Sequence, residues 1–399
     1  AYHKRRGLVK TRINCIDCFM RLSGRSDRMG QSDTTLIGAG VVGLSVALGL
    51  LRAGQAVTVL DGADDDFRAS QGNFGLVWLQ GKGADFAPYA RWTAQAVAAW
   101  PEFAASLRQT SGIDVALSQS GGYEFFTAPA ELADFTAGLA RQEAHLGRKT
   151  YEVLTGDDLR REISGIGQGV VGASFCALDG HVNPLRLLRA LRLAVATLGG
   201  RILTDAKVTK VTPASGGGFD LTLTNGARRG AGKLVLCAGL GAAPLAANLG
   251  FTAQIRPQRG ELLITEKLAD RLPFLSSTIR QVDEGGVQIG GTHADAGLND
   301  AETLMMMRGL AYHAVTVFPT LAGVRVVRSW GALRVMSPDG YPVYARSTRH
   351  PDACLVTCHS GVTLAPLHAS ALTDWIVNDA AAPEKGAFDD NRFTLSTAA

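Results

Sequence analysis

The stretch that decides the fold is "TTLIGAGVVGLSVALGLLRAGQAVTVLD", residues 34–61. From Thr34 to Leu51 no residue is charged, a run about long enough to cross a bilayer. Its internal spacing points elsewhere. Gly38, Gly40 and Gly43 spell G-x-G-x-x-G directly after the short apolar run Thr35 to Ile37, which suits a buried parallel strand. A membrane helix needs no such spacing. In a dinucleotide-binding turn, Gly38 makes the tight bend, Gly40 admits a pyrophosphate to the backbone, and Gly43 lets the next helix pack on the strand. The backbone around Val41 and Val42 then opens that helix, with its N–H groups facing the phosphates. Val42, Val46 and Leu50 recur at helical spacing, Gly54 stands at a C-cap, and "AVTVLD" reads as a second strand ending in Asp61, placed to bind a ribose hydroxyl.

Composition sets the frame around this unit. A chain of 399 residues, 46% hydrophobic and 19% charged, can bury two cores, and a net charge of +4 is too mild to argue for nucleic acid. Much of the excess sits in residues 1–28, which hold eight Lys and Arg, among them Lys4, Arg5 and Arg28, against Asp17 and Asp27, with no apolar stretch for a secretory signal. Met29 looks like a natural start, so the tail reads as an upstream extension or flexible arm rather than a transit peptide. The six cysteines are scattered; Cys15 and Cys18 form the lone C-x-x-C, without a second pair at zinc spacing, so no metal site is expected. Reduced thiols in a cytoplasmic protein follow as the default.

Beyond residue 61 the pattern alternates. "SQGNFGLVWLQGKG", residues 70–83, is Gly-rich, with Asn73, Trp78, Gln80 and Lys82 breaking any period, and reads as a working loop. Helices are expected over 88–109, interrupted by Pro101, and over 131–146, with "GGYEFFT" a strand between them. Asn183 and Pro184 begin a helix with Leu187, Leu188, Leu191, Val195 and Leu198 on one face and Arg186, Arg189 and Arg192 on a solvated one. Strands follow at 201–211, 219–224 and 233–237, with Asn225-Gly226 marking a hairpin. From about 251 the alternation is β-like, broken by one helix over 301–315 whose Met305 to Met307 reads as core filling. A closing helix covers 366–378. The organisation expected is an α/β fold, mixed with α+β character: a Rossmann-like nucleotide-binding domain (29–95, 170–250, 328–380), a β-rich substrate domain (96–169, 251–327), both discontinuous, and a terminal tail (381–399).

Taken in order, "GAGVVGLSVALGLLRAGQAVTVLD", "SQGN", "DGHVNPLRLLRAL", "LVLCAGLGA", "RPQRGELL", "GGVQIGGTHAD", "WGALRVMSPDGYPV" and "HSGVTLAP" make the chain resemble the D-amino-acid oxidase family of FAD enzymes over about residues 33–380. Within it, the "GNFGLVWLQGKG" loop is similar to the catalytic β subunits of opine oxidases, hydroxyproline dehydrogenases and hydrogen cyanide synthase, which work in complexes. The resemblance implies FAD, with its pyrophosphate on Gly38 to Gly43, its ribose on Asp61, its adenine near Val208, and Ala238 and Gly239 of "LCAGLGA" nearby. It implies the flavin ring near Ser70, Gly72 and Asn73, with Gly361, Val362, Thr363 and Leu364 at the pyrimidine end. A helix starting near Pro366 would turn its positive end toward the charge that builds there on reduction.

The resemblance also implies an amino acid or N-substituted amino acid as substrate, whose carboxylate needs a planar bidentate donor. Arg334 occupies the family's arginine position in "GALRVMSPDG", with a structural ion pair as the alternative. The chemistry implied is hydride transfer from the carbon bearing nitrogen to flavin N5, followed by hydrolysis of the imine. His359 is a candidate to take the ammonium proton near neutral pH, with plain packing as the alternative; His181 reads as structural. Glu261 is a candidate partner for a cationic substrate group, against a solvated strand residue. Where sarcosine oxidases carry an oxygen-activating lysine, Gln288 stands, so a cation to stabilise superoxide is expected to be missing. That favours a dehydrogenase passing electrons to a partner subunit, in a hetero-oligomer, over a glycine, sarcosine or D-amino-acid oxidase using oxygen. An NAD dehydrogenase shares only the opening motif, and a non-catalytic electron relay is the remaining class. Any FMN or iron–sulfur cluster would be held mostly by partner subunits, since this chain lacks the cysteines for one.

Overall fold

Strand Thr34–Ile37 lies inside a six-stranded sheet ordered Val343–Arg346, Ala353–Thr357, Lys233–Leu236, Thr34–Ile37, Val57–Leu60, Arg201–Leu203. The computed structural model describes residues 34–62, 69–378 and 380–395. The expectations for residues 1–28, for Met29 and for the Cys15/Cys18 pair lie outside the described residues. Five strands run parallel, and the edge strand Val343–Arg346 is antiparallel to its neighbour. Side chains alternate across the sheet: Leu36, Val59 and Val235 enter one core, while Ile37, Leu60, Leu234 and Leu236 enter another. Both faces are covered, which is why these strands read as unbroken apolar runs instead of alternating ones.

On one face pack the helices Val41–Arg52, Ala87–Ser111 and Pro184–Thr197 with the closing pair Ala365–His368 and Ala371–Asn378. On the other lies a meander of Val208–Pro213, Phe219–Leu223 and Arg228–Ala231, turned at Asn225-Gly226 as expected. The expected strand 201–211 is two: Arg201–Leu203 stays in the large sheet, and after a break at Asp205, which has positive φ, Val208–Pro213 joins the meander. Helix Ala87–Ser111 runs straight through Pro101 instead of breaking there. A proline lacks the N–H that would bond four residues back, and the carbonyl so released, that of Val97, accepts a bond from Gln119 Nε2 at 3.1 Å. The side chain from the next loop supplies what the proline cannot.

A second β layer stands above the C-terminal ends of the large sheet. Four antiparallel strands, Ile279–Gln281, Gly286–Ile289, Arg256–Lys267 and Val326–Met336, share a core with the three-stranded sheet Gly122–Phe126, Gly172–Cys176, Glu152–Thr155 and with helix Leu304–Val317. Gly172–Cys176 and most of Val326–Met336 fall in segments grouped by sequence with the nucleotide-binding part, yet they pair with the insert strands. Alternation marks a strand but not the sheet it joins. Met305 is 80% exposed, so the methionine run is not simply core filling; Leu310, Ala314 and Val317 are the side chains this helix buries.

Candidate active site

The first strand ends at Gly38, whose φ is +108°, and a side chain there would fall 2.5 Å from the carbonyl oxygen of Cys237. Only glycine allows the chain to pass so close to the neighbouring strand. A Cβ on Gly43 would meet Gly38 O at 2.0 Å, so this glycine seats helix Val41–Arg52 on the strand. The turn is tied from two sides: Asp61 Oδ1 accepts from Ala39 N at 3.0 Å, and Ser70 Oγ accepts from Val41 N at 3.0 Å. Above it opens a cavity of about 570 Å³, lined by Gly38, Gly40, Val41, Val42, Asp61, Ser70 and Asn73 from the first unit and its loop. Val208, Ala238, Gly239, Gly361 and Val362 close it.

Two placements differ from expectation. Ser70 caps the helix start, at the phosphate end of such a turn, because its hydroxyl is bonded to the first helical N–H. Arg192, assigned by periodicity to a solvated helix face, reaches back over the cavity, where its Nη2 lies 3.1 Å from Asp61 Oδ2. A long side chain can leave the face its Cα belongs to.

The cavity runs into a second of about 450 Å³, the two sharing Ala69, Asn73, Leu333, Val335, Cys358, His359 and Val362. Gly72 and Thr363 line this second cavity; Leu364 lines neither and is packed in the core below. Thr363 Oγ1 donates to Leu76 O at 3.0 Å, and its carbonyl accepts from Trp100 Nε1 at 3.0 Å, fixing the wall. The helix expected over 366–378 is broken into Ala365–His368 and Ala371–Asn378, so only one helical turn, not a long dipole, stands behind Gly361 to Leu364. The hydroxyls of Ser370 and Thr373 take the carbonyls of Pro366 and His368 at this break.

Arg334 lines the second cavity, and its guanidinium lies over Gly260 on the adjoining strand, where a Cβ would come within 2.6 Å of it. Its Nη1 donates to Arg259 O at 3.3 Å, and among the described residues no carboxylate pairs with it. Burial depresses its pKa, which marks a cation whose water has been partly removed. Glu261 lines the same cavity, but it is no solvated strand residue. It is fully buried, 3.0 Å from Arg259 Nε, and accepts from Thr303 N at 2.8 Å. Its strand position turns the carboxylate onto the neighbouring loop, a direction that strand alternation does not reveal.

His359 lines both cavities, but its pKa is driven down to about 3 by burial and then by the charges of Lys82, Arg334 and His293. This corrects the expectation of a base titrating near neutrality: the ring is neutral there and weakly basic. His181 Nδ1 accepts from Arg280 Nη1 at 3.1 Å and holds the loop, as a structural histidine would.

Residues that sequence reasoning passed over supply much of the site's charge. Lys82, from the loop marked as working, lines the second cavity, with Nζ 3.4 Å from Ser360 Oγ; burial lowers its pKa, and Glu124 partly restores it. Glu124 accepts from Trp78 Nε1 at 3.1 Å and from Ser277 Oγ, and burial raises its carboxyl to about 7. Behind them Asp179, fully buried and accepting from Leu79 N and Gln80 Nε2, is raised by burial to about 8. Glu124 was visible as an acid between Tyr123 and Phe125, whose stacked rings take one strand face and leave the acid on the other.

Gln288 is buried, and its Oε1 accepts from Arg280 Nη2 at 2.6 Å; the Arg280 guanidinium stands 5.3 Å from the Phe74 ring, whose side chain lines the cavity. A cation, Arg280, is therefore bonded to that position, and Lys82 lines the cavity from another segment. The strand position itself holds Gln288, while the positive charge of this cavity comes from Lys82 and Arg334 on other segments.

The family described as FAD dependent oxidoreductase, DAO, matches residues 33–375. The chain belongs to this family. Relatives of this DAO-family protein include an opine oxidase subunit of Agrobacterium tumefaciens, 39% identical over 371 residues, covering 92% of this chain and 98% of the relative. The corresponding opine oxidase subunit of Rhizobium meliloti is 36% identical over 93% of this chain and all of the relative. The solved glycine oxidase of Geobacillus kaustophilus superposes with a TM-score of 0.83 at 22% identity, over 90% of this chain and 98% of that one, and so shows the fold. The DAO-family protein is thus an FAD-dependent oxidoreductase of mixed α/β fold. Its residues fit the cofactor: a glycine turn that any Cβ would obstruct, helix-start N–H groups, a buried acid and a cavity continuing into a second chamber. Among the described residues no cluster of His, Cys, Asp or Glu is arranged to hold a metal ion, and no helix is long and apolar enough to cross a membrane.

Proposed function

We propose that the protein oxidises the C–N bond of a secondary-amine amino acid, of opine, hydroxyproline or sarcosine type, and passes the electrons to a partner subunit. The observation that carries this reading is Arg334: a desolvated guanidinium without a carboxylate partner among the described residues, lining a chamber continuous with the nucleotide cavity. FAD, when bound, supplies the two-electron acceptor for the hydride leaving the carbon that bears nitrogen. Gly38, Gly40, Val41, Val42 and Asp61 would hold its diphosphate and ribose, Val208, Ala238 and Gly239 its adenosine end, and Asn73, Gly361 and Val362 its ring. Arg334 would fix the substrate carboxylate through two parallel N–H donors and so orient the adjacent carbon. Phe74, Trp78, Leu333 and Val335 exclude water around it. Glu124, titrating near 7, is better matched than His359 to hold or take the ammonium proton. Released imine is then hydrolysed by water.

Both opine oxidase relatives are named as subunits and are matched over nearly their whole length, which supports a complex. FMN or an iron–sulfur cluster, if the complex has one, belongs to the partners. The two domains proposed are the nucleotide-binding segments (29–95, 170–250, 328–380) and the substrate-binding ones (96–169, 251–327), with strand Gly172–Cys176 and most of Val326–Met336, from the former range, adding to the sheets of the latter. Four buried free thiols, Cys176, Cys237, Cys354 and Cys358, support a reducing, cytoplasmic setting. The second reading is an oxidase using oxygen, favoured by Lys82 in the chamber. Anaerobic addition of secondary-amine amino acids to the flavin-loaded chain should bleach the flavin, and air should restore the colour slowly. Reoxidation at oxidase-like rates would establish the second reading; no bleaching by any amine would leave only a relay.

A further inference from the structure

Two cations line the second chamber, and neither forms an ion pair with a carboxylate among the described residues. Arg334 enters from strand Val326–Met336 across Gly260, while Lys82 enters from the loop that follows Leu76–Val77 and reaches Ser360 Oγ. Lys82 is felt by the charge of Arg334, and both act on His359, so they share one chamber instead of facing separate surfaces. The acid whose charge acts most strongly on Lys82 is Glu124, already engaged by Trp78 and Ser277. With a carboxyl raised to about 7, it offsets only part of the positive charge at neutral pH. Asp179, which also acts on Lys82, is raised to about 8 and so adds little negative charge at neutral pH, and the lining carboxylate of Glu261 is already paired with Arg259; the two desolvated cations thus leave an anion-seeking chamber, costly to keep without a ligand.

Resting on the function proposed above, we infer that Lys82 forms a second carboxylate subsite opposite Arg334, so that the preferred substrate is a secondary amine bearing two carboxylates. Arg334 holds the carboxylate beside the reacting carbon, and Lys82 holds the one on the other nitrogen substituent. Lys82 is thereby a specificity-determining residue: it reads the half of the molecule that a simple N-methyl amino acid lacks. A point charge on a flexible stem suits this role, because the distance to the second carboxylate varies between substrates, whereas the reacting end needs the rigid fork of Arg334.

The test uses the intact flavin-loaded chain in two assays. Glutarate and butyrate, inert acids differing by one carboxylate, are titrated by the perturbation of flavin absorbance and by calorimetry. Wild type should bind glutarate at least about 10-fold tighter, Lys82→Met should abolish that ratio, and Lys82→Arg should largely keep it. A ratio near one in wild type, or one insensitive to Lys82→Met, overturns the subsite; the wild-type ratio decides even if a variant does not fold. In the second assay, anaerobic bleaching rates for iminodiacetate and sarcosine give a kcat/KM ratio that should fall at least about 30-fold in Lys82→Met. An unchanged ratio, with only air reoxidation slowed, assigns Lys82 to oxygen chemistry and ends the inference. If neither these two nor any other secondary-amine amino acid bleaches the flavin, the proposed function fails, while the glutarate ratio still judges the subsite by itself.

Discussion

The guanidinium of Arg334 rests in the space left by the missing side chain of Gly260: an added Cβ would lie 2.6 Å from its central carbon. The two residues are diagonal neighbours on paired strands, Gln258 facing Arg334 and Gly260 facing Ala332. Gly260→Ala should therefore displace the guanidinium without touching the nucleotide cavity. Expected is a loss of about 10- to 100-fold in kcat/KM for amino-acid substrates with FAD retained, checked by anaerobic bleaching kinetics beside the flavin-to-protein absorbance ratio.

Arg334→Lys keeps the charge and removes the fork. Charged hydrogen bonds are worth about 1.5–3 kcal/mol, so kcat/KM should fall roughly 10- to 150-fold for every carboxylate-bearing amine. An unchanged value across all of them would remove Arg334 from the substrate.

Glu124 and His359 separate on pH. Burial places the Glu124 carboxyl at about 7 and the His359 imidazolium at about 3. A limb of the kcat/KM profile near pH 7 should persist in His359→Asn and shift or vanish in Glu124→Gln. A limb lost with the histidine alone assigns the proton to His359.

The same carboxyl affects stability with a definite sign. Its folded pKa lies above the ordinary 4.5, so the folded state holds its proton more tightly than the unfolded chain does. Stability from this group is complete below about pH 4.5 and is lost as pH rises toward 7. The melting temperature of Glu124→Gln should gain on wild type across that window, by roughly 2 °C or more, in a calorimetric pH series. A variant that instead loses ground to wild type as pH rises contradicts the assignment.

Gln119→Ala should expose the cost of Pro101. Val97 O loses its donor in the middle of helix Ala87–Ser111, and Leu178 O loses another. Roughly 1–3 kcal/mol of stability should go, read from denaturant midpoints at constant slope.

Residues 34–61 revealed the nucleotide half because their information is local. A glycine turn, a helix start and a strand ending in Asp61 are set by spacing within one unit, and the structure ties Ala39 to Asp61 directly. Arg334 was legible only through resemblance, since nothing local distinguishes it from Arg328 on the same strand. The solvated alternative for Glu261 failed because strand alternation shows which face a side chain takes, not what waits there; Arg259 and Thr303 wait there.

By itself the amino-acid order determined that a doubly covered parallel sheet holds a dinucleotide, since strand, turn and helix periods act over a few residues. Which charges meet in the chamber was decided only by tertiary structure. Lys82, Glu124, Arg334 and His359 are brought together from four segments far apart in the chain. Their properties arise there, because burial and neighbouring charge, not residue type, set the pKa of Glu124 and His359.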